Sequence, residues 1–302
     1  MLAQLLRRAI FAQLALGSAL ASWLHARGTL STPEAWALVC AVPFGVMALV
    51  DVYTVAVSRG PEPWGAWVQS LFGEYRAGVI IFLFRQPWTR KAPGILPSTG
   101  THIRIPVVLV HGYLCNHRVW DDVAPRLRAQ GHDVIAVNLE PLFCSIDRYA
   151  EVLESAVQAL LTHSGQQQVA LVGHSMGGLA IRAWLRTYGT ERAARVLTLG
   201  TPHVGTQVPQ HIKTPNGIQM TWKSEWLDTL AVSETAATHR LFHIALTPQD
   251  NIVYPQRAQV LPDVTATVFE GIGHLQMCLD PMVIEWLKKQ LAEVDTACVA
   301  AT

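Results

Sequence analysis

The stretch QVALVGHSMGGLAIRAWL (168–185) passes from a short apolar run into apolar residues spaced by three and four, and Ser175 stands at the change. The first half predicts a strand and the second an amphipathic helix. The join reads Gly173-His174-Ser175-Met176-Gly177, a G-x-S-x-G. A turn this tight leaves no room for bulky flanking side chains, and it holds a hydroxyl out at the start of a helix. His174, beside the serine, reads as packing beneath the turn.

Outward from this point the pattern alternates. IPVVLVHG, HDVIAVNL, QQVALVGH and ARVLTLGT are short β-branched runs that end in turn residues. Helical stretches lie between them near 119–129, 146–161 and 176–188. LFHIALT and TATVFEG continue the series, and 282–291 offers a closing helix. Strand alternating with helix predicts an α/β domain with a mostly parallel sheet covered by helices on both faces. No internal repeat is present.

Ligands in such sheets meet the carboxyl ends of the strands, where Ser175 falls. A serine hydroxyl becomes a useful nucleophile when a base takes its proton and a carboxylate orients that base. In this architecture the order is Ser, then Asp or Glu, then His. Asp250 follows LFHIALT in PQDNIVYP, and His274 follows TATVFEG in IGHLQM. Asp228, Asp263 and Asp280 are the substitutes for Asp250, whose alternative role is to cap its loop. An acyl-transfer site also needs fixed N–H donors for a tetrahedral oxyanion, worth about 3–4 kcal/mol each. Met176 supplies one, and Tyr113, directly after the HG turn of IPVVLVHGYL, supplies the other, with Leu114 the alternative one position on.

The chain has 302 residues, of which 50% are hydrophobic and only 15% charged, with a mean hydropathy of +0.25. An ordinary soluble domain carries roughly a quarter charged residues, so part of this chain is expected to avoid water. Net charge is +1 without a basic block, which excludes the electrostatic footprint of a nucleic-acid binder. Cys40, Cys115, Cys144, Cys278 and Cys298 are scattered without C-x-x-C spacing and read as mostly free thiols, a Cys115–Cys144 bridge being the one pairing considered.

The apolar residues concentrate near the N-terminus. IFAQLALGSALASWL (10–24) and AWALVCAVPFGVMALVDVYTVAV (35–57) are apolar on every face, as membrane-embedded helices are. A buried soluble helix pair is the other reading, since Pro43 and Asp51 interrupt the second run. Arg7, Arg8 and Ala19-Leu20-Ala21 also give the first run the look of a signal peptide. Arg7 and Arg8 precede the runs, Arg27 separates them, and Arg59, Arg76, Arg85, Arg90 and Lys91 follow. This bias favours a hairpin in a cytoplasmic membrane with both ends inside. Residues 63–88 place Trp64, Trp67, Val68, Leu71, Phe72, Tyr75, Val79, Phe82 and Leu83 on one helical face, either core or the face of a helix lying at a bilayer surface or against the domain that follows. KAPGILPSTG (91–100) reads as a linker. The expected division is 1–60 membrane-anchoring helices, 61–100 amphipathic helix and linker, and 101–302 catalytic domain.

VVLVHGYL, LVGHSMGGL, TLGTPHVGT, QDNIVYPQ and GIGHL together resemble the α/β-hydrolase superfamily, specifically its bacterial triacylglycerol lipase and esterase branch, over about 105–291. The resemblance implies the α/β-hydrolase fold, Ser175 as nucleophile, His274 as base, Asp250 as its orienting acid, and the N–H groups of Tyr113 and Met176 as oxyanion donors. It implies an ester or lipid substrate and no cofactor. Lipases of this type often carry a structural calcium and a long lid, yet the insertion here is modest and has no acidic pair that marks a calcium site. Ile218, Met220, Trp222, Trp226, Leu227 and Leu230 form either a short cap near 204–238 or an ordinary surface helix with a packed face. Leu114, Trp222 and Trp226 are the candidate substrate contacts.

Three rivals remain. Asn116-His117-x-x-x-x-Asp122 fits the N-H-x-x-x-x-D of glycerolipid acyltransferases, without that family's phosphate-binding motif downstream. Thioesterases, amidases and acyltransferases use the same triad. A non-catalytic binding protein of this fold is the third, although it would not need all three triad residues. His239 and His243 have the spacing of zinc ligands on a helix but fall at a strand entry and read as structural, so no metal site is expected. Protein partners are not legible.

Overall fold

A computed structural model describes residues 1–89, 92, 94–208 and 212–300. Six parallel strands form the sheet: β1 (Val107–Val110), β2 (Val134–Ala136), β3 (Val169–His174), β4 (Ala193–Leu199), β5 (Phe242–Leu246) and β6 (Ala266–Val268). Their spatial order is β2-β1-β3-β4-β5-β6. The direction of winding reverses between β1 and β3, the crevice where ligands of doubly wound sheets bind.

Period-two alternation sorts the strand residues between two cores. Val108, Val110, Val169, Leu171, Val196 and Ile244 face one core. It is completed by α5 (Tyr149–Ser164) and α6 (Met176–Tyr188). Val107, Leu109, Ala170, Val172, Leu197 and Ala245 face the other. There α4 (Ala124–Ala129) and α10 (Pro281–Ala300) cover the sheet. Each expected strand and helix in 105–291 has its counterpart, except that 119–129 is divided into a 3-10 turn, His117–Trp120, and the short α4.

Two apolar helices precede the sheet: α1 (Leu2–Ala26), 25 residues, and α2 (Thr32–Ser58), 27 residues. At 1.5 Å per residue each is about 40 Å long, more than the ~30 Å of a bilayer core. They pack on one another with Gly17 and Ala21 buried, small residues four apart that let helices approach closely. Most of their surface is uncovered; Phe11, Leu16, Leu49 and Tyr53 are each at least 60% exposed. Ser31 and Glu34 form a capping box at the start of α2.

Next comes α3 (Trp64–Gly78), continued by a π-helical segment, Val79–Arg85. The expected apolar stripe is divided between the buried and the exposed face. Trp67, Ser70, Glu74, Ala77 and Ile81 are buried, while Trp64, Val68, Phe72 and Phe84 point outward. Ala77 and Ile81 belong to the same core as α4 and α10. Of the expected linker, Lys91 and Pro93 lie outside the described residues, as does Arg90 before it. Leu96 makes an antiparallel bridge to Val134 at the sheet edge.

In the insertion after β4, where Pro209, Gln210 and His211 lie outside the described residues, α7 (Pro215–Gln219) and α8 (Glu225–Val232) are short surface helices. Leu227 and Leu230 are buried on the packed face, while Ile218 and Val232 are exposed. Next, α9 (Ala236–His239) leads into β5. Cys115 and Cys144 are free thiols, so the considered bridge is not formed; Cys40 and Cys278 are free as well.

Candidate active site

Ser175 follows β3 with φ 55° and ψ −128°. A non-glycine residue takes that conformation only when its surroundings hold it there. Ser175 N–H donates to Leu199 O at 2.9 Å, and Thr201 Oγ1 donates to Ser175 O at 3.0 Å. Gly177 lies so close to the carbonyl oxygens of Val110 and His111 that no Cβ fits. This contact explains the second glycine of the motif.

Asp250 and His274 come from the loops after β5 and β6. His274 Nδ1 and Asp250 Oδ2 are 2.7 Å apart, and both residues are buried. The other oxygen of Asp250 accepts N–H bonds from Ile252 at 2.9 Å and Val253 at 2.6 Å. The two loops are joined by Thr247 Oγ1 donating to Ile272 O, and by Gly271 N–H donating to Gln249 Oε1.

His174 links the serine turn to the loop that carries His274. Its Nε2 donates to His274 O at 3.1 Å, and the two rings are 4.6 Å apart. Among the described residues no hydrogen bond joins the Ser175 hydroxyl to the His274 ring. Burial pushes His174 well below the usual histidine range, so that ring is neutral. For His274 burial acts in the same direction, but the Asp250 carboxylate and then Glu74 outweigh it and hold the ring above its ordinary value.

Tyr113 follows Gly112, whose α-carbon lies against the serine: a Cβ there would stand 2.7 Å from Ser175 Cβ. His111 fixes this loop. Its Nε2 accepts the Leu139 N–H at 2.9 Å, so its Nδ1 is the protonated nitrogen that donates to Gly112 O at 2.8 Å. Burial pushes His111 down to about 4, which keeps that tautomer. With the Gly112 carbonyl held, the planar trans peptide directs the Tyr113 N–H the opposite way. Nothing in the sequence beyond the HG pair pointed to His111.

Tyr113, Leu114, Phe143, Tyr149, Met176 and Asn216 border a cavity of about 10 Å³. That is room for one water at most. Trp222 and Trp226 are not among its walls. Trp222 lines a separate cavity of about 560 Å³ with His203 and Leu227. The Trp226 indole donates to the Asp147 carboxylate at 3.0 Å. An indole N–H seeks an acceptor, and for Trp226 the Asp147 carboxylate supplies it.

The N-H-x-x-x-x-D segment is a structural joint. Asn116 caps its 3-10 turn by accepting the Arg118 N–H, His117 bonds Asn138, and Asp122 pairs with Arg85 at 2.7 Å. His239 sits 3.3 Å from Glu234, and His243 lies within β5. Among the described residues no cluster of three His, Cys, Asp or Glu could hold a metal ion.

A residue that the sequence left unmarked also reaches this site. Glu74 of α3 is buried and accepts backbone N–H bonds from Leu275 and Gln276, next to His274. It is the only acidic residue between Glu62 and Asp121, the one available signal.

A model of the α/β-hydrolase fold family matches residues 105–242. Methylesterase 3 of Arabidopsis thaliana is 30% identical over 140 residues, 42% of this chain and 51% of that protein. A triacylglycerol lipase of Burkholderia plantarii is 33% identical over 141 residues, 42% of this chain and 39% of the lipase. The chain thus spans about half or less of these relatives' length. Among solved structures, the mature lipase BlEst2 of Bacillus licheniformis superposes with a TM-score of 0.58 at 16% identity, over 67% of this chain and 99% of that one. Lipase B of Aspergillus fumigatus gives 0.54 at 17%, over 63% and 54%. At such identities the two structures speak to fold alone. Residues 105–242 thus match the α/β-hydrolase fold family, the sheet has that fold, and the chain is similar to lipases and esterases.

Proposed function

We propose that this chain is a membrane-associated serine hydrolase that cleaves carboxylic esters through an acyl-enzyme. The observation that carries the proposal is the 2.7 Å contact between Asp250 and His274, beside a serine on a strained strand-to-helix turn. Ser175 attacks the ester carbonyl while His274 Nε2 takes its proton. The N–H groups of Tyr113 and Met176 stabilise the oxyanion. His274 then hands the proton to the leaving alcohol, and water, activated by the same ring, releases the acid. Similarity to proteins named triacylglycerol lipase and methylesterase supports an ester as substrate.

Membrane attachment rests on α1 and α2, which are long and apolar enough to cross a bilayer and are mostly uncovered by the rest of the chain. The arginine distribution supports a hairpin with both ends on the cytoplasmic side. The test is turnover of p-nitrophenyl esters, from acetate to laurate, by the full chain in phospholipid vesicles. Hydrolysis that carries an acyl-length preference is expected. Absence of turnover at every chain length would overturn the proposal.

A further inference from the structure

We propose that Glu74 is a positioning residue of the hydrolytic site: its carboxylate fixes the turn that carries His274 and places a second negative charge behind the imidazole. This rests on the hydrolase reading above.

The turn Leu275–Cys278 begins with His274 as its N-cap residue. The opening N–H groups of such a turn have no partner within it. Glu74 supplies one from a distant element. Oε1 accepts from Leu275 N at 2.9 Å, and Oε2 accepts from Leu275 N at 2.8 Å and Gln276 N at 2.9 Å. Both oxygens thus act as acceptors, the arrangement of an ionised carboxylate. Gly273 completes the fit, because a Cβ there would stand 2.5 Å from Glu74 Oε2.

Glu74 is 4% exposed, and among the described residues no lysine or arginine pairs with it. A carboxylate buried without a cation is unfavourable unless hydrogen bonds or function offset it. Burial, with Asp250 adding to it, holds its carboxyl above the usual range, while His274 and the two backbone donors act in the opposite direction. The groups facing this pair come from every neighbouring element: Asp250 after β5, His174 of β3, Asp51 of α2, and the Cys115 and Cys278 thiols. Burial keeps both thiols protonated and His174 neutral. Asp250 therefore holds Nδ1, while Glu74 holds the backbone and adds charge as the ring becomes imidazolium. The helical region before the sheet is in this way part of the base.

The experiment compares Glu74→Gln, Glu74→Asp and Gly273→Ala in the detergent-solubilised full chain, by kcat, KM and pH profile, and by NMR titration of the His274 ring. Glu74→Gln is expected to lower kcat about 10- to 100-fold, as a small misplacement of a catalytic group does. KM should stay within about twofold, since Glu74 does not border the small cavity lined by Tyr113 and Met176. The acid limb of kcat/KM and the ring titration should both move to lower pH, and Glu74→Asp should move both back. Gly273→Ala displaces the carboxylate without removing it, and reports in the same direction if Glu74→Gln does not fold. Unchanged kcat with an unmoved titration in a folded variant overturns the proposal, as does the same shift in Glu74→Gln and Glu74→Asp. If the unaltered chain hydrolyses no ester, the hydrolase reading fails, and the ring titration alone still decides the role of Glu74.

Discussion

His274 Nδ1 lies 2.7 Å from Asp250 Oδ2, although the two residues stand 24 positions apart and on separate loops. Each loop leaves the carboxyl end of its own strand, so the parallel sheet, rather than proximity in sequence, brings them together. A carboxylate at Nδ1 leaves Nε2 free to act as base.

Asp250→Asn keeps an oxygen for the Ile252 and Val253 N–H groups but turns an amide donor toward Nδ1. The tautomer is then wrong, and kcat should fall roughly 10³–10⁴-fold. The sign of the pH effect follows from the raised His274 value. Catalysis needs the neutral ring, so kcat/KM should rise through an acid limb above the ordinary 6.5, and that limb should move down in the variant. The stability that the charged pair contributes is present below 6.5 and is lost as pH rises through the raised value. Steady-state kinetics and thermal unfolding across pH check both.

Gly112→Ala puts a methyl carbon 2.7 Å from Ser175 Cβ and 3.2 Å from His174 O. The loop must retreat and take the Tyr113 N–H with it. A fall in kcat of about 10²–10³-fold, with unchanged circular dichroism, is expected for loss of one oxyanion donor.

Arg182 of α6 is 1% exposed and makes a two-point contact with Glu234 at 2.7 and 2.8 Å. Removing one partner strands a buried charge, so Arg182→Met should destabilise the chain by about 3–5 kcal/mol. The double variant Arg182→Met with Glu234→Leu should regain most of that loss. Unfolding of the solubilised protein measures each.

The strands were legible because each apolar run ends in turn residues, and a parallel sheet has few ways to order them. The candidate substrate contacts were less so. Trp222 and Trp226 looked suited to a lipid pocket, but an indole also seeks a polar acceptor, and Asp147 supplies one to Trp226. The 64–83 stripe marked a helix but left its buried face open. Apolar periodicity marks a buried face only when water lies on the other side, and α3 turns Ser70 and Glu74 inward while Val68 and Phe72 face out. Glu74 itself carries no motif, because its partners are backbone N–H groups 201 and 202 residues away.

The central claim is that Ser175 is the nucleophile, and it is tested most directly by fluorophosphonate labelling followed by peptide mass mapping. One label on Ser175, absent from Ser175→Ala together with all ester turnover, is the predicted result. A label on another residue, or turnover that persists in Ser175→Ala, would contradict the account.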